Sequence, residues 1–187
     1  ILSDARQKSS TPAKIELTAG TRLEIPAKLK NVSEQILQRK GYTVSYNKDL
    51  KIPNWVAWEL TPEKLMERES RTDKFLPDPD LPENQAVTTD DYKRSGMDRG
   101  HMCPAGDNRW HWKAMQESFY MTNICPQNHN LNRGDWKELE DACRLWTKKE
   151  GKLYIVCGPV LYRQKHRTIG RKHKVSVPEA FFKVILS

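Results

Sequence analysis

The residues that could do chemistry begin at Asp98-Arg99-Gly100-His101 and continue with Asn123, Asn132, Glu140 and Arg144. Hydrolysis of a phosphodiester needs an activated water, positive charge on the phosphate oxygens and usually a divalent metal at the leaving group. An imidazole, guanidinium groups and oxygen ligands meet these three needs. The stretch therefore predicts a phosphodiesterase.

Arg99 and His101 form the half of the site that would act on the phosphate. An imidazole titrates at about pH 6.5 when unperturbed, which suits a general base at neutral pH. The planar fork of a guanidinium matches phosphate oxygens. Side chains two positions apart on an extended segment point to the same face, so both groups should reach one phosphate. A histidine outside such a motif is more often an ordinary surface or core residue, and that interpretation is preferred for His111, His129, His166 and His173.

Asn132 and Glu140 are the candidates for the metal half. Asn132 is predicted to stand at or just before the start of a helix, and its amide oxygen is a suitable ligand for Mg²⁺. Glu140, two turns further on, would hold a metal-bound water, and Arg144 is its neighbour on the same helical face. Without the upstream motif, Glu140 and Arg144 would be interpreted as an ordinary exposed ion pair and Asn132 as a helix cap.

Hydrophobic periodicity predicts the elements that must position these groups. A hairpin is expected from Tyr42–Tyr46 and Trp55–Leu60, with a short helix after Thr61. A stripe of Trp136, Leu139, Cys143 and Trp146 predicts a long helix from about Arg133 to Lys149. The other predicted elements are a helix over Trp112–Ser118 and strands over Phe119–Ile124, Leu153–Cys157 (ended by Gly158-Pro159), His173–Val177 and Phe181–Leu186. This mixture predicts an α+β class with a mixed or antiparallel sheet.

Length and charge restrict the class of protein. A chain of 187 residues fits one domain, predicted at 32–187 after an N-terminal tail or linker over 1–31. The net charge of +8 favours a polyanion as partner, with nucleic acid ahead of an anionic membrane surface. The basic cluster at 163–174 is interpreted as a solvated loop that could raise affinity for any polynucleotide. No apolar run is long enough to span a membrane.

The four cysteines leave two questions open. Cys103, Cys125, Cys143 and Cys157 could form two disulfides in an exported protein or remain buried thiols. A second class of function is a non-catalytic nucleic-acid-binding module with structural zinc. Its ligands would be His101, Cys103, Cys125 and His129.

The sequence also resembles the DNA/RNA non-specific endonuclease family of the ββα-metal superfamily. The resemblance extends over about residues 36 to 187 and is strongest toward endonuclease G-like members. It rests on Asp98-Arg99-Gly100-His101, Thr122-Asn123-Ile124-x-Pro126-Gln127, Leu131-Asn132-x-Gly134-x-Trp136-x-x-Leu139-Glu140 and Gly158-Pro159-Val160, together with Asn108-Arg109-Trp110, Phe119-Tyr120 and Val177-Pro178-x-x-Phe181.

The resemblance implies a ββα-metal (His-Me finger) nuclease fold, with a central, mostly antiparallel sheet and flanking helices. It implies Mg²⁺-dependent, sequence-independent cleavage of DNA and RNA to 5′-phosphate and 3′-hydroxyl ends, with Mn²⁺ as an alternative metal. By the resemblance, His101 is the general base, Asn123 positions it, and Asp98 supports the local fold. Asn132 is the implied metal ligand, and Glu140 contacts the metal through water. Arg99 and Arg144 are the implied phosphate contacts. Arg71, in Arg71-x-x-x-Phe75-x-x-Asp78, matches a further basic, substrate-binding position.

Two departures from the family pattern add expectations. Cys103 and Cys125 replace small or hydroxylated residues close to the motif and could form a local disulfide. Family members usually continue beyond the position of Ser187, so a closing strand or helix is expected to be missing. A homodimer and an unidentified inhibitor protein are further expectations. Because a non-specific nuclease must be kept from its own genome, export is preferred as the location, with an organelle such as the mitochondrion as the alternative.

Overall fold

A five-stranded antiparallel sheet forms the centre of the protein in a computed structural model that describes residues 21–187. Its spatial order is β1-β2-β3-β6-β9. The strands are β1 (Gln35–Gln38), β2 (Thr43–Asn47), β3 (Ile52–Leu60), β6 (Leu153–Val160) and β9 (Ala180–Leu186). With the helices packed around it, this sheet confirms the predicted α+β class.

Two small ladders and three helices complete the architecture. The ladders pair β4 (Asp98–His101) with β5 (Ile124–Gln127) and β7 (Thr168–Ile169) with β8 (Val175–Ser176). The helices are α1 (Trp112–Ser118), α2 (His129–Arg133) and α3 (Asp135–Glu150), and 3₁₀ turns lie at Pro62–Leu65, Thr89–Asp91, Ala105–Asp107 and Met121–Asn123. No helix within residues 21–187 combines the length and apolar character needed to cross a bilayer.

The core lies around β3, which pairs with β2 on one side and β6 on the other. Val56 and Leu60 of β3 are fully buried, as is Ile155 of β6. Trp136 and Cys143 bury the inner face of α3 against the same core. The sheet therefore gives α3 a fixed surface to pack on.

The predicted hairpin is confirmed as β2 and β3, and α1 has the predicted bounds. The predicted long helix is confirmed as α3, which begins at Asp135 rather than at about Arg133 because the backbone leaves helical geometry at Gly134. Asn132 lies shortly before α3, inside the separate short helix α2. Trp146 was predicted to face the core, but it is 44% exposed, and Thr147 is buried instead.

The strand predicted over Phe119–Ile124 is wrong for most of its length. Residues 121–123 form a 3₁₀ turn, and β5 begins only at Ile124. The side chain of Asn123 bonds to nearby backbone, which favours a turn over a ladder. The predicted stop at Gly158-Pro159 is also wrong, because β6 continues to Val160 in pairing with β9. Only residues 175–176 of the strand predicted over His173–Val177 are extended in a ladder.

Part of the predicted tail packs on the domain. Arg22 donates a hydrogen bond to Oγ1 of Thr43 at 3.0 Å and pairs with Glu24, which is 6% exposed. The packed chain thus includes residues before 32. Residues 1–20 of the predicted tail lie outside the described residues.

Gly100 allows β4 to approach β5 closely. A Cβ built on Gly100 would lie 2.3 Å from Oε1 and 2.7 Å from Cβ of Gln127, which pairs with Asp98 in the ladder. Gln127 is fully buried and cannot move aside into solvent. The glycine in the Asp98–His101 motif is therefore a packing requirement.

Replacing Gly100 with alanine should lower the free energy of unfolding by about 1–3 kcal/mol, because the added methyl overpacks this contact. Urea denaturation measures the change. In a Gln127→Ala background, Gly100→Ala should lower the free energy of unfolding by less, because Oε1 of Gln127, the atom closest to the added methyl, is gone. Equal costs in the two backgrounds would contradict this explanation.

Candidate active site

Arg99 and His101 project from the same face of β4, as their spacing predicted. Both contact Phe75: Cζ of Arg99 lies 4.2 Å from the ring centroid, and the His101 ring centroid lies 5.4 Å from it. The edge of a second aromatic ring, Phe119, packs on His101 at 4.8 Å. The imidazole is thus held by two aromatic side chains.

This surrounding keeps His101 uncharged. Burial and the neighbouring charges of Arg71 and Arg99 lower the pKa of His101 to about 3. The residue is 9% exposed, and its Nε2 is buried with no hydrogen-bond partner in the described chain. The ring therefore has a free lone pair at neutral pH, which a base requires.

Arg71 lies on the other side of this aromatic pair. Its guanidinium carbon is 5.2 Å from the centroid of Phe119, and the side chain pairs with Asp73. The structure therefore brings Arg71 close to Arg99 and His101, although Arg71 lies well before them in the sequence. Two cations beside a neutral imidazole favour an anionic ligand.

Asp98 connects the motif to α2. Nδ2 of Asn132 donates a hydrogen bond to Oδ2 of Asp98 at 2.9 Å, and Nδ1 of His129 lies 3.2 Å from the same carboxylate. Burial alone would raise the pKa of Asp98. The hydrogen bonds with Asn132 and His129 outweigh burial, so the pKa of Asp98 lies below its ordinary value. A charged Asp98 thus orients the amide.

The orientation of Asn132 suits a hard cation. With Nδ2 engaged by Asp98, Oδ1 is the atom left to bind a ligand, and no donor within residues 21–187 hydrogen-bonds to it. No group of three His, Cys, Asp or Glu in these residues could hold a metal ion. One amide oxygen with several waters fits Mg²⁺, which dehydrates reluctantly, better than it fits zinc.

A cleft of about 500 Å³ adjoins both halves of the site. Phe75, Asp98, Arg99, Asn132 and Arg133 line it. His101 contributes through its contact with Phe75, because its own ring is nearly buried. Below, this space is called the catalytic cleft.

Asn123 acts on the backbone that follows His101. It is fully buried, its Oδ1 accepts from the backbone N–H of Cys103 at 2.9 Å, and its Nδ2 donates to the carbonyls of Cys103 and Ser118 at 2.8 Å. Its own carbonyl accepts from the N–H of Met102. These bonds engage both polar atoms of the Asn123 side chain, which suits the predicted role of positioning His101.

The structure does not bring Arg144 to the catalytic cleft. Its Nη1 donates to Oδ1 of buried Asp107 at 2.9 Å, and its Nη2 donates to Asp141 at 2.5 Å. The carboxylates therefore occupy the guanidinium that was predicted to contact phosphate.

Glu140 likewise does not line the catalytic cleft as the structure describes it. Burial raises the pKa of Glu140 to about 7, and the charges acting on it are Lys183, Asp107, Arg144 and Asp141. Gly134 separates Asn132 in α2 from Glu140 in α3, while Glu140 and Arg144 share α3, as their spacing predicted. The roles predicted for Glu140 and Arg144 stay predictions that these positions do not favour.

Four contacts at the site were not assigned from the sequence. Phe75 and Phe119 enclose His101, and His129, interpreted as an ordinary residue, binds Asp98. Nε1 of Trp136, predicted only as core, donates to the His101 carbonyl at 3.2 Å. The pattern Arg71-x-x-x-Phe75 was the available signal for Phe75, because it placed an aromatic residue beside a basic one.

All four cysteines are buried, free thiols. Burial raises the pKa of Cys103 and of Cys125 well above the ordinary value, which disfavours the thiolate that zinc requires. The proposed set of His101, Cys103, Cys125 and His129 does not form a metal cluster within the described chain. Neither the local disulfide nor the zinc-module alternative is supported.

Comparison with known proteins agrees with this geometry. The DNA/RNA non-specific endonuclease family matches residues 20–187. "Nuclease EXOG, mitochondrial" of Danio rerio is 40% identical over 157 residues, covering 79% of this chain and 46% of that protein. "Endonuclease G, mitochondrial" of Homo sapiens is 33% identical over 162 residues, covering 81% of this chain and 54% of that protein. This chain thus spans about half the length of these relatives.

A solved structure of the EndoG/EndoGI complex, which concerns the mechanism of EndoG inhibition, matches with a TM-score of 0.76 and 33% identity. The match covers 81% of this chain and 67% of that chain. The fold is that of a ββα-metal nuclease. The chain belongs to the DNA/RNA non-specific endonuclease family.

The low pKa of His101 predicts how stability depends on pH. Between about pH 6.5 and pH 3 the unfolded chain binds a proton at this residue and the folded chain does not, so stability falls as the pH falls. From pH 7 to pH 5 this histidine should account for a loss of about 2 kcal/mol in the free energy of unfolding.

Urea denaturation of wild type and His101→Gln at both pH values measures this loss, because all other titrating groups are shared. The wild type should lose more stability than the variant. Equal losses would mean that the folded protein protonates His101 as readily as the unfolded chain.

Proposed function

We propose that this protein is a metal-dependent endonuclease that hydrolyses phosphodiester bonds of DNA and RNA without regard to sequence, leaving 5′-phosphate and 3′-hydroxyl ends. The observation that carries the proposal is the neutral, buried imidazole of His101 between two guanidinium groups and beside the cleft that contains Asn132. Membership of the endonuclease family supports it.

In this proposal Arg99 and Arg71 bind the non-bridging oxygens of the scissile phosphate. Both guanidiniums lie over aromatic rings, where a cation is only weakly bound. An anion can therefore bind Arg99 directly, whereas at Arg71 it would compete with Asp73. Their planar donors suit the trigonal arrangement of charge that develops during in-line displacement. They would thereby stabilise the transition state as well as bind substrate.

His101 takes a proton from the attacking water. A base with a pKa of about 3 would be weak. Burial lowers this pKa most, and the charges of Arg71 and Arg99 lower it as well. A bound phosphodiester would neutralise these two charges and so remove their part of the shift. The substrate would thus make His101 a stronger base.

Asn132 would hold the metal, with Mg²⁺ preferred and Mn²⁺ an alternative, and Asp98 would keep its amide oxygen directed outward. Bound there, a divalent ion would supply positive charge for the leaving oxygen. Asn123 keeps Met102 and Cys103 in place, and with them the strand that carries His101.

Location and protein partners also extend from the relatives to this chain as proposals. EXOG and endonuclease G are named as mitochondrial proteins, so we propose an organelle; the predicted export gains no support from them. The EndoG/EndoGI complex makes an inhibitor protein a reasonable partner. A homodimer stays a prediction.

His101→Asn should lower cleavage of plasmid DNA and of RNA by at least about 10²-fold, because proton transfer by a positioned base contributes that much or more. Binding of duplex DNA should persist. The control is His166→Asn, which changes a histidine paired with Glu179. Cleavage by His101→Asn at the wild-type rate would falsify the assignment of the base.

Asn132→Ala should raise the Mg²⁺ concentration needed for half-maximal cleavage by about 10-fold or more, because the protein ligand is lost. Asn130→Ala, two residues earlier in α2 and exposed, is the matched control. Cleavage assays across a Mg²⁺ titration, with an EDTA blank, give the comparison. An identical metal titration for both variants would remove Asn132 from the metal site.

A further inference from the structure

A second, larger groove lies beside the catalytic cleft, between the loop at residues 88–95 and the loop at residues 167–172. Its volume is about 990 Å³. Two carboxylates, Asp90 and Asp91, lie on its wall. The five cations on that wall are Lys93, Arg94, Arg167, Arg171 and Lys172. Below, this space is called the basic groove.

The cations of the basic groove are available to a ligand. All five are exposed, and none forms an ion pair with a carboxylate in the part of the chain that the structure describes. Arg167 donates a hydrogen bond to the carbonyl of Ser95 at 2.8 Å, which leaves its charge uncompensated. Of the two acids, Asp91 is only 4% exposed. Positive charge therefore dominates the surface of the groove.

A buried contact holds the two loops together. Oδ2 of Asp91 lies 2.6 Å from Nδ1 of His173, and it also accepts from the backbone N–H of Thr88 at 3.0 Å. Gly170, at φ +79°, approaches so closely that a Cβ there would lie 2.6 Å from Oδ1 of Asp91. The short β7–β8 ladder closes the second loop. The groove is thus organised before any ligand arrives.

The basic groove continues into the catalytic cleft. Asp90 and Lys93 line both spaces. A chain of phosphates that places one phosphate at Arg99 could therefore extend along the groove without leaving the surface. This continuity favours nucleic acid over a membrane. The wall is concave, and Ile169, the one large apolar residue on it, is 5% exposed, so the groove offers nothing to insert into lipid.

We propose that the basic groove binds the phosphodiester backbone of the substrate strand beside the scissile phosphate. The inference rests on the proposed nuclease function and adds a second binding region to it. Contacts made only to phosphate and sugar hold the substrate in place without reading its sequence. Long substrates then gain affinity that short ones do not, and the gain weakens with salt.

The test compares Arg171→Gln/Lys172→Gln with the control Lys148→Gln/Lys149→Gln. Both double variants remove two exposed lysine or arginine charges, but the control charges lie at the end of α3, on the wall of neither space. Cleavage of a long duplex and of a trinucleotide is measured over a series of NaCl concentrations. Thermal melting checks folding, and Arg167→Gln is a second groove variant.

The groove variant should raise the KM for the duplex by about tenfold with kcat unchanged, and should leave the trinucleotide unaffected. The dependence of log KM on log salt should become shallower by roughly 1–2. The control should change neither quantity. Equal changes in groove and control variants would overturn the inference, because they would report net charge alone.

A binding measurement separates this inference from the proposed function. The dissociation constant for the same duplex is measured with His101→Asn, with and without the groove substitutions, so that no cleavage is needed. The groove substitutions should raise this dissociation constant. Wild-type protein that cleaves neither substrate would overturn the nuclease proposal, and the binding result would still decide the groove. The same pair of proteins is tested for binding to vesicles of phosphatidylcholine and phosphatidylserine in equal parts. If the groove substitutions weaken vesicle binding but leave duplex binding unchanged, the groove is not a nucleic-acid site.

Discussion

The alternation of side chains along β4 is the constraint on which the site depends. Pairing with β5 sets the register, in which Gly100 lies opposite Cys125. The Gly100 backbone then packs against the Gln127 side chain, while Arg99 and His101 face the aromatic pair. Trp136 of α3 holds the end of the strand through the His101 carbonyl. A shift by one residue would turn the imidazole away from Phe75 and bring a side chain into the contact that only glycine allows. Catalytic geometry and packing therefore reinforce each other.

This arrangement also sets the electrostatics of the candidate site. A buried imidazole beside two guanidiniums is poised for a substrate that brings negative charge, because the empty site disfavours protonation of His101. The same excess of positive charge continues along the basic groove. In the proposed function, catalysis and substrate binding would thus depend on the same excess of positive charge, although Arg71 shares its charge with Asp73.

Most of the candidate site could be predicted from the sequence because local rules apply to it. Period-two alternation placed Arg99 with His101, and the chemistry of an amide ligand made Asn132 the candidate for the metal. The roles of Glu140 and Arg144 stay predictions, and both residues lie on α3 as their spacing predicted. The buried carboxylate of Asp107, which captures Arg144, is separated from it by 37 residues and has no local signal.

By itself, the sequence determined the α+β class, the hairpin, α1 and the candidate catalytic tetrad, because these depend on propensity, periodicity and residue type over short distances. Only the tertiary structure decided which charges remain free. It enclosed His101 between Phe75 and Phe119, brought Arg71 to the same site, and bound Asp91 to His173 beneath the basic groove. Burial and ion pairing depend on residues far apart in the chain, and packing alone brings them together.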